Sequence, residues 1–130
     1  MLTNLEQITN LASARNSLDI KKFSAALADN VLYEAQGKND VIAGKAALLE
    51  YMQARFEFIK SLDASVDKGT FEIAKIDMPT QLGRLCLAYL IQGEIQAVWL
   101  PTFDGNALIS RIDIITVYPD PKSAQLLKIN

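Results

Sequence analysis

From Thr3 to Asn16, the side chains of Leu5, Ile8, Leu11, Ala12 and Arg15 recur at helical spacing on one stripe. Thr3 and Glu6 fit a capping box at its start. Asn16-Ser17 interrupts the pattern, and a second short helix carries Ile20, Phe23, Ala26 and Leu27 on one face until Asp29-Asn30 stops it. Val31 to Ala35 reads as a strand, residues 37–40 as a turn and Val41-Ile42 as a short returning strand. Gly44 opens a longer helix to about Ser61, with an inward stripe of Ala47, Leu48, Tyr51, Met52, Arg55 or Phe56, Ile59 and Leu62.

The pattern then changes. Residues 70–78, 84–92, 94–103 and 107–118 are rich in β-branched and aromatic side chains and are separated by short breaks at 79–83, Gly93 and 104–106. Four long consecutive strands with short loops predict an antiparallel meander. Helices gathered against such a sheet make an α+β domain, here one domain over residues 1–130. Apolar residues occupy both alternations of the strand at 84–92, with Leu85, Leu87 and Ile91 against Cys86, Ala88 and Leu90. One-sided burial would alternate apolar with polar, so a second sheet is expected outside and with it a homodimer through the sheet face. Leu126, Leu127 and Ile129 suggest that the tail docks.

Composition removes several functions. With 130 residues, 50% apolar, 22% charged and a net charge of −2, the chain is an ordinary globular domain. Lys21, Lys22 and Lys38 are scattered, so no basic face for nucleic acid is expected. No apolar run is long enough for a bilayer, and Met1-Leu-Thr-Asn-Leu-Glu shows no secretory pattern, so a soluble, cytoplasmic protein without a membrane partner is expected. The absence of histidine excludes Ser-His-Asp and Cys-His catalysis and the usual imidazole metal sites. No carboxylates cluster for a hard cation, so neither metal nor cofactor is expected. Cys86, the single cysteine, lies in an apolar run and reads as a buried structural thiol.

The element order, with 27–34 (LADNVLYE) running on to 44–51 (GKAALLEY) and the closing 103–113 (FDGNALISRID), resembles the nuclear transport factor 2-like superfamily. The resemblance implies a cystatin-like cone, a curved, mixed, mostly antiparallel sheet of four to six strands around three helices from the N-terminal half. It also suggests a dimer. It does not select a function. Where ketosteroid isomerase has its catalytic carboxylate, this chain has Ala35. Where that enzyme has its tyrosine donor, this chain has Leu11, and its assisting acid falls near Ala97 or Trp99. SnoaL-like cyclases and scytalone-type dehydratases rely on histidine, which is absent here. Limonene epoxide hydrolase uses an Asp-Arg-Asp arrangement, for which Asp113, Arg111, Arg84 and Asp77 are the available residues. The segments 97–99 (AVW), Ile112-Asp113, Pro121-Lys122 and Leu126-Leu127 are also similar to the C-terminal domain of the orange carotenoid protein, whose tryptophan corresponds to Trp99.

The expected function is therefore binding of a small hydrophobic molecule in an apolar pocket lined by Tyr33, Ala35, Met52, Trp99 and Arg111. Trp99 and Tyr33 can equally be core residues whose polar atoms find partners. The alternatives are a SnoaL-like isomerase, cyclase or hydrolase acting through Asp113 with Arg111 or Tyr33, and a dimeric assembly domain. Asp113 is equally readable as half of a structural ion pair with Arg111, its same-face neighbour. The catalytic alternative requires Asp113 to face the pocket.

Overall fold

The computed structural model describes residues 3–127. Its elements are α1 (Asn4–Ser17), α2 (Ile20–Ala25), β1 (Leu27–Ala35), β2 (Val41–Ala43), α3 (Lys45–Ser61), β3 (Thr70–Met78), β4 (Gln81–Ile91), β5 (Glu94–Phe103), β6 (Ile109–Ile115), a 3-10 turn (Pro121–Ser123) and β7 (Gln125–Leu126). The strands form one seven-stranded sheet in the order β2-β1-β6-β5-β4-β3-β7. Among the described residues, only β1 and β6 pair in parallel. This is the mixed, mostly antiparallel α+β cone expected, with the two-residue β7 as its seventh strand.

Local chemistry moves several boundaries. Ala26 ends α2, and its carbonyl accepts from Ile109 N–H at 2.9 Å. Leu27 therefore enters the sheet opposite Ile109 and not the helix. The polar pair Asp29-Asn30 sits in the register shift that follows, so it bends a strand where a helix stop was expected. Strand β6 ends at Ile115, because the Gln36 Oε1 accepts from the backbone N–H of Thr116, Val117 and Tyr118 at 2.9, 2.8 and 3.2 Å and draws the chain off the sheet. Gly44 precedes α3 at φ +94°, a conformation that disfavours any side chain, and donates to Val31 O at 2.8 Å.

Two apolar layers result. On the helix side, Ile8, Leu11, Phe23, Leu48, Met52 and Phe56 pack against Leu87, Trp99, Ile109, Ile112 and Ile114. On the other side, Ala74, Ile76, Cys86, Ala88, Val98, Leu100 and Ile115 pack with Ala124. The chain itself covers that second layer. After β6 it crosses the sheet through the 3-10 turn, burying Pro121 and Ala124, and ends paired to β3 as β7. Two-sided burial thus arises within one copy, which removes the reason given by the strand pattern for a second sheet outside. The tail docks as expected, but through Pro121 and Ala124; Leu126 is exposed, and Ile129 lies outside the described residues.

Candidate functional site

The helix-facing side of the sheet carries a run of aromatic rings. Trp99 lies opposite Leu87 on β4 and Ile114 on β6. Its ring meets the edge of Phe71 at 5.1 Å and of Tyr33 at 5.8 Å between centroids. Phe71 continues to Tyr89 at 4.9 Å, and Tyr33 continues to Tyr51 of α3 at 5.7 Å. Ala35 and Ala97 border this run, partly buried, while Met52 is fully buried beneath it. Tyr89 Oη donates to Lys68 O at 3.0 Å. Gly69 allows that close approach, since its φ is +76° and a Cβ there would lie 2.7 Å from Tyr89 Oη.

Arg15 of α1 projects into the middle of these rings. Its guanidinium carbon lies 4.6 Å from the Phe71 ring centre, 5.0 Å from Trp99 and 5.2 Å from Phe56. The next residue fixes this placement. Asn16 receives the Phe71 N–H at 2.7 Å and donates to the Phe71 carbonyl at 2.9 Å, pinning the end of α1 to β3. Arg15 is only 7% exposed, and its Nε and Nη1 atoms are buried without a hydrogen-bond partner. Burial lowers its pKa to about 10, and the ionisable groups acting on it are Tyr33, Arg55, Tyr89 and Tyr51, none of them a carboxylate. It is nevertheless a cation at neutral pH. Burial also pushes the Tyr33 phenol up to about 12, with Tyr51 alongside adding to the effect.

The sequence-predicted residues divide by face. Tyr33, Ala35, Met52 and Trp99 come together on the helix side. Arg111 and Asp113 do not join them: Asp113 pairs in register with Glu34 and Leu100, whereas Ile112 and Ile114 on either side face the helices. On that opposite face, Arg111 donates its Nε–H to both Asp113 carboxylate oxygens at 3.0 and 3.1 Å and Nη2 to Glu34 at 2.6 Å. Asp113 is thus half of a solvent-accessible ion pair on the wrong side of the sheet to serve a site at Trp99, because strand alternation sends neighbours to opposite faces. Leu11, at the expected tyrosine position, is fully buried core.

The centre of the cone also differs from an open apolar pocket. Among the described residues, a depression of 320 Å³ is lined by Ala35 with Glu34 and Asp113, and another of 530 Å³ by Tyr51, but neither is lined by Arg15, Tyr33, Met52 or Trp99. The Arg15 guanidinium and the surrounding rings occupy that centre. Arg15 stands on the apolar stripe of the first helix in the sequence, but its position there gives no sign that it lacks a counter-charge. Among the described residues, no group of three or more His, Cys, Asp and Glu side chains is placed to hold a metal ion. No described helix is long and apolar enough to cross a membrane.

Set beside known proteins, the chain has the NTF2-like, SnoaL-like cone fold. No protein-family model matches it, and no curated protein matches it. Among solved structures it is similar to a SnoaL-like protein from Burkholderia thailandensis, with 15% identity, TM-score 0.61 and coverage of 84% of this chain and 90% of that one. It is also similar to an NTF2-like protein from Cytophaga hutchinsonii, with 14% identity, TM-score 0.59 and coverage of 90% and 92%. A third is SalBIII, described as an epoxide hydrolase/cyclase-like enzyme in pyran ring formation in the polyether salinomycin, with 18% identity, TM-score 0.60 and 95% coverage of both chains.

Proposed function

We propose that this protein binds a small, largely apolar molecule on the helix-facing side of its sheet, against Tyr33, Ala35, Tyr89, Ala97 and Trp99, with Met52 in the floor. The observation that carries this reading is the incomplete cover of that side. Tyr33, Ala35, Tyr89 and Ala97 remain only partly buried beside a nearly buried Trp99, so the chain's own helices do not close its aromatic wall. Apolar surfaces with a few convergent polar groups are the usual make-up of small-molecule sites. The phenol groups of Tyr33, Tyr51 and Tyr89 supply such polar groups here. SalBIII, with a similar fold, works on a small molecule, which is consistent with this use of the cone.

Asp113 and Arg111 stand outside this reading, since they form an ion pair on the other face. Binding is read from Trp99, the only tryptophan. Titration with decan-1-ol and with 2-naphthylmethanol is expected to give a saturable change in its emission and a matching heat by calorimetry. A response that rises linearly without saturation, with no heat, for both alcohols and for the matching carboxylates decanoate and 2-naphthoate overturns the proposal.

A further inference from the structure

Resting on that binding reading, we infer that the ligand carries a carboxylate, and that Arg15 is the group that receives it.

The argument begins with what the aromatic rings can and cannot supply. Phe71, Trp99 and Phe56 offer their π-systems to the guanidinium within 4.6–5.2 Å. Such contacts stabilise a cation. As acceptors of N–H groups they are weak, and Nε and Nη1 are both buried without an oxygen, nitrogen or sulfur acceptor. Buried donors are nearly always hydrogen-bonded in native proteins, so two on one cation require an account. An arginine cannot escape by giving up its proton at neutral pH. Nor does Arg15 have a carboxylate partner among the described residues, whose two ion pairs both belong to Arg111.

Arg55 sharpens the point. It is exposed on α3, stacks at 5.7 Å over Tyr51 and acts on Arg15 as a second positive charge. Both ion pairs among the described residues involve Arg111 on the far face, not these two arginines. The partly covered aromatic wall therefore holds two cations and three phenols and no carboxylate. The Arg15 donors are buried in the empty protein, so a carboxylate reaches them by displacing part of the ring cover, and it then pairs with planar N–H groups in the geometry a guanidinium offers it best. Its apolar remainder lies along Tyr33, Ala35, Tyr89 and Ala97. A neutral ligand of the same shape leaves the Arg15 donors as they were.

The test compares matched pairs, decanoate with decan-1-ol and 2-naphthoate with 2-naphthylmethanol, at neutral pH. Trp99 emission and calorimetry give the affinities. Each acid is expected to bind at least ten-fold more tightly than its alcohol. In Arg15→Met the alcohols are expected to bind as before and the ratio to fall to about one. A wild-type readout covers the case in which that variant does not fold: the Arg15 Nε–H resonance should shift with the acid and stay in place with the alcohol. Equal affinity for acid and alcohol overturns the carboxylate assignment and leaves the binding reading standing. So does an acid preference that survives in Arg15→Met, or an unmoved Arg15 resonance at saturating acid. Absence of saturable binding by all four compounds overturns the binding reading and this inference with it.

Discussion

At the scale of single residues, Arg15 carries a tension between stability and use. Burial lowers its pKa to about 10, which corresponds to a cost of about 3 kcal/mol for holding the charge in place. The three rings share one guanidinium, so their contacts are not additive and together offset about 1–2 kcal/mol of this. Arg15→Met keeps the volume and removes the unpaired charge, so it is expected to stabilise the empty protein by about 1–2 kcal/mol. Urea unfolding measures this. A loss of the same size would mean that the ring contacts outweigh desolvation. Because the folded pKa is the lower one, this cost is complete below about pH 10 and is relieved only as pH rises above 10 toward the ordinary arginine value. Tyr33 runs the other way. Its phenol is raised from 10 to about 12, so its contribution is complete below pH 10 and is lost as pH rises through 12. Tyr33→Phe should therefore lose less stability than the wild type between pH 10 and 12, as read by unfolding midpoints across that range. Parallel curves would show that the phenol titrates alike in the folded and unfolded chain.

At the scale of elements, the junction of α1 with β3 decides where the cation points. Asn16 satisfies both backbone groups of Phe71. Replacing it by alanine leaves that N–H and carbonyl to find new partners, at an expected cost of about 1–2 kcal/mol by urea unfolding. An unchanged midpoint in Asn16→Ala would show that water replaces the clamp at no cost. Asp113→Asn is a contrasting case. The Glu34–Arg111–Asp113 cluster is about a third exposed, so the substitution should change stability by less than about 1 kcal/mol and leave ligand affinity unaltered. A several-fold fall in affinity would connect the two faces. The elements themselves were legible in the periodicity: of the stripe predicted on α3, Leu48, Met52 and Phe56 are buried, whereas Ala47 and Tyr51 are exposed, Ile59 and Leu62 are half-buried and exposed Arg55 lies at its edge. The partnership of Arg111 with Asp113 was legible from their spacing of two. Their face was not, because apolar residues on both alternations remove the cue that distinguishes inside from outside. The position of Arg15 was legible on its stripe, but its lack of a counter-charge depends on α3, β1 and β4 meeting in space.

At the scale of the whole molecule, the C-terminal segment decides what the sheet presents to the outside. The strand pattern called for a cover over Cys86, Ala88 and Val98, and the chain supplies one through Pro121, Ala124 and the pairing of β7 with β3. What the tail leaves accessible includes the partly exposed polar cluster of Glu34, Arg111 and Asp113. That is a poorer dimer surface than a bare apolar sheet. The intact chain is therefore expected to scatter light as a single copy at low micromolar concentration. Ending the chain at Asp120 should uncover the apolar layer and produce self-association. Cys86 gives an independent readout, since burial raises its thiol to about 12 and keeps it unreactive at neutral pH. Its reaction with a thiol reagent should be slow in the intact chain and at least ten-fold faster in the shortened one. A dimer mass for the intact chain would show that the polar cluster or another face makes a contact. A shortened chain that stays monomeric with a slow thiol would show that the sheet closes over Cys86 without its tail.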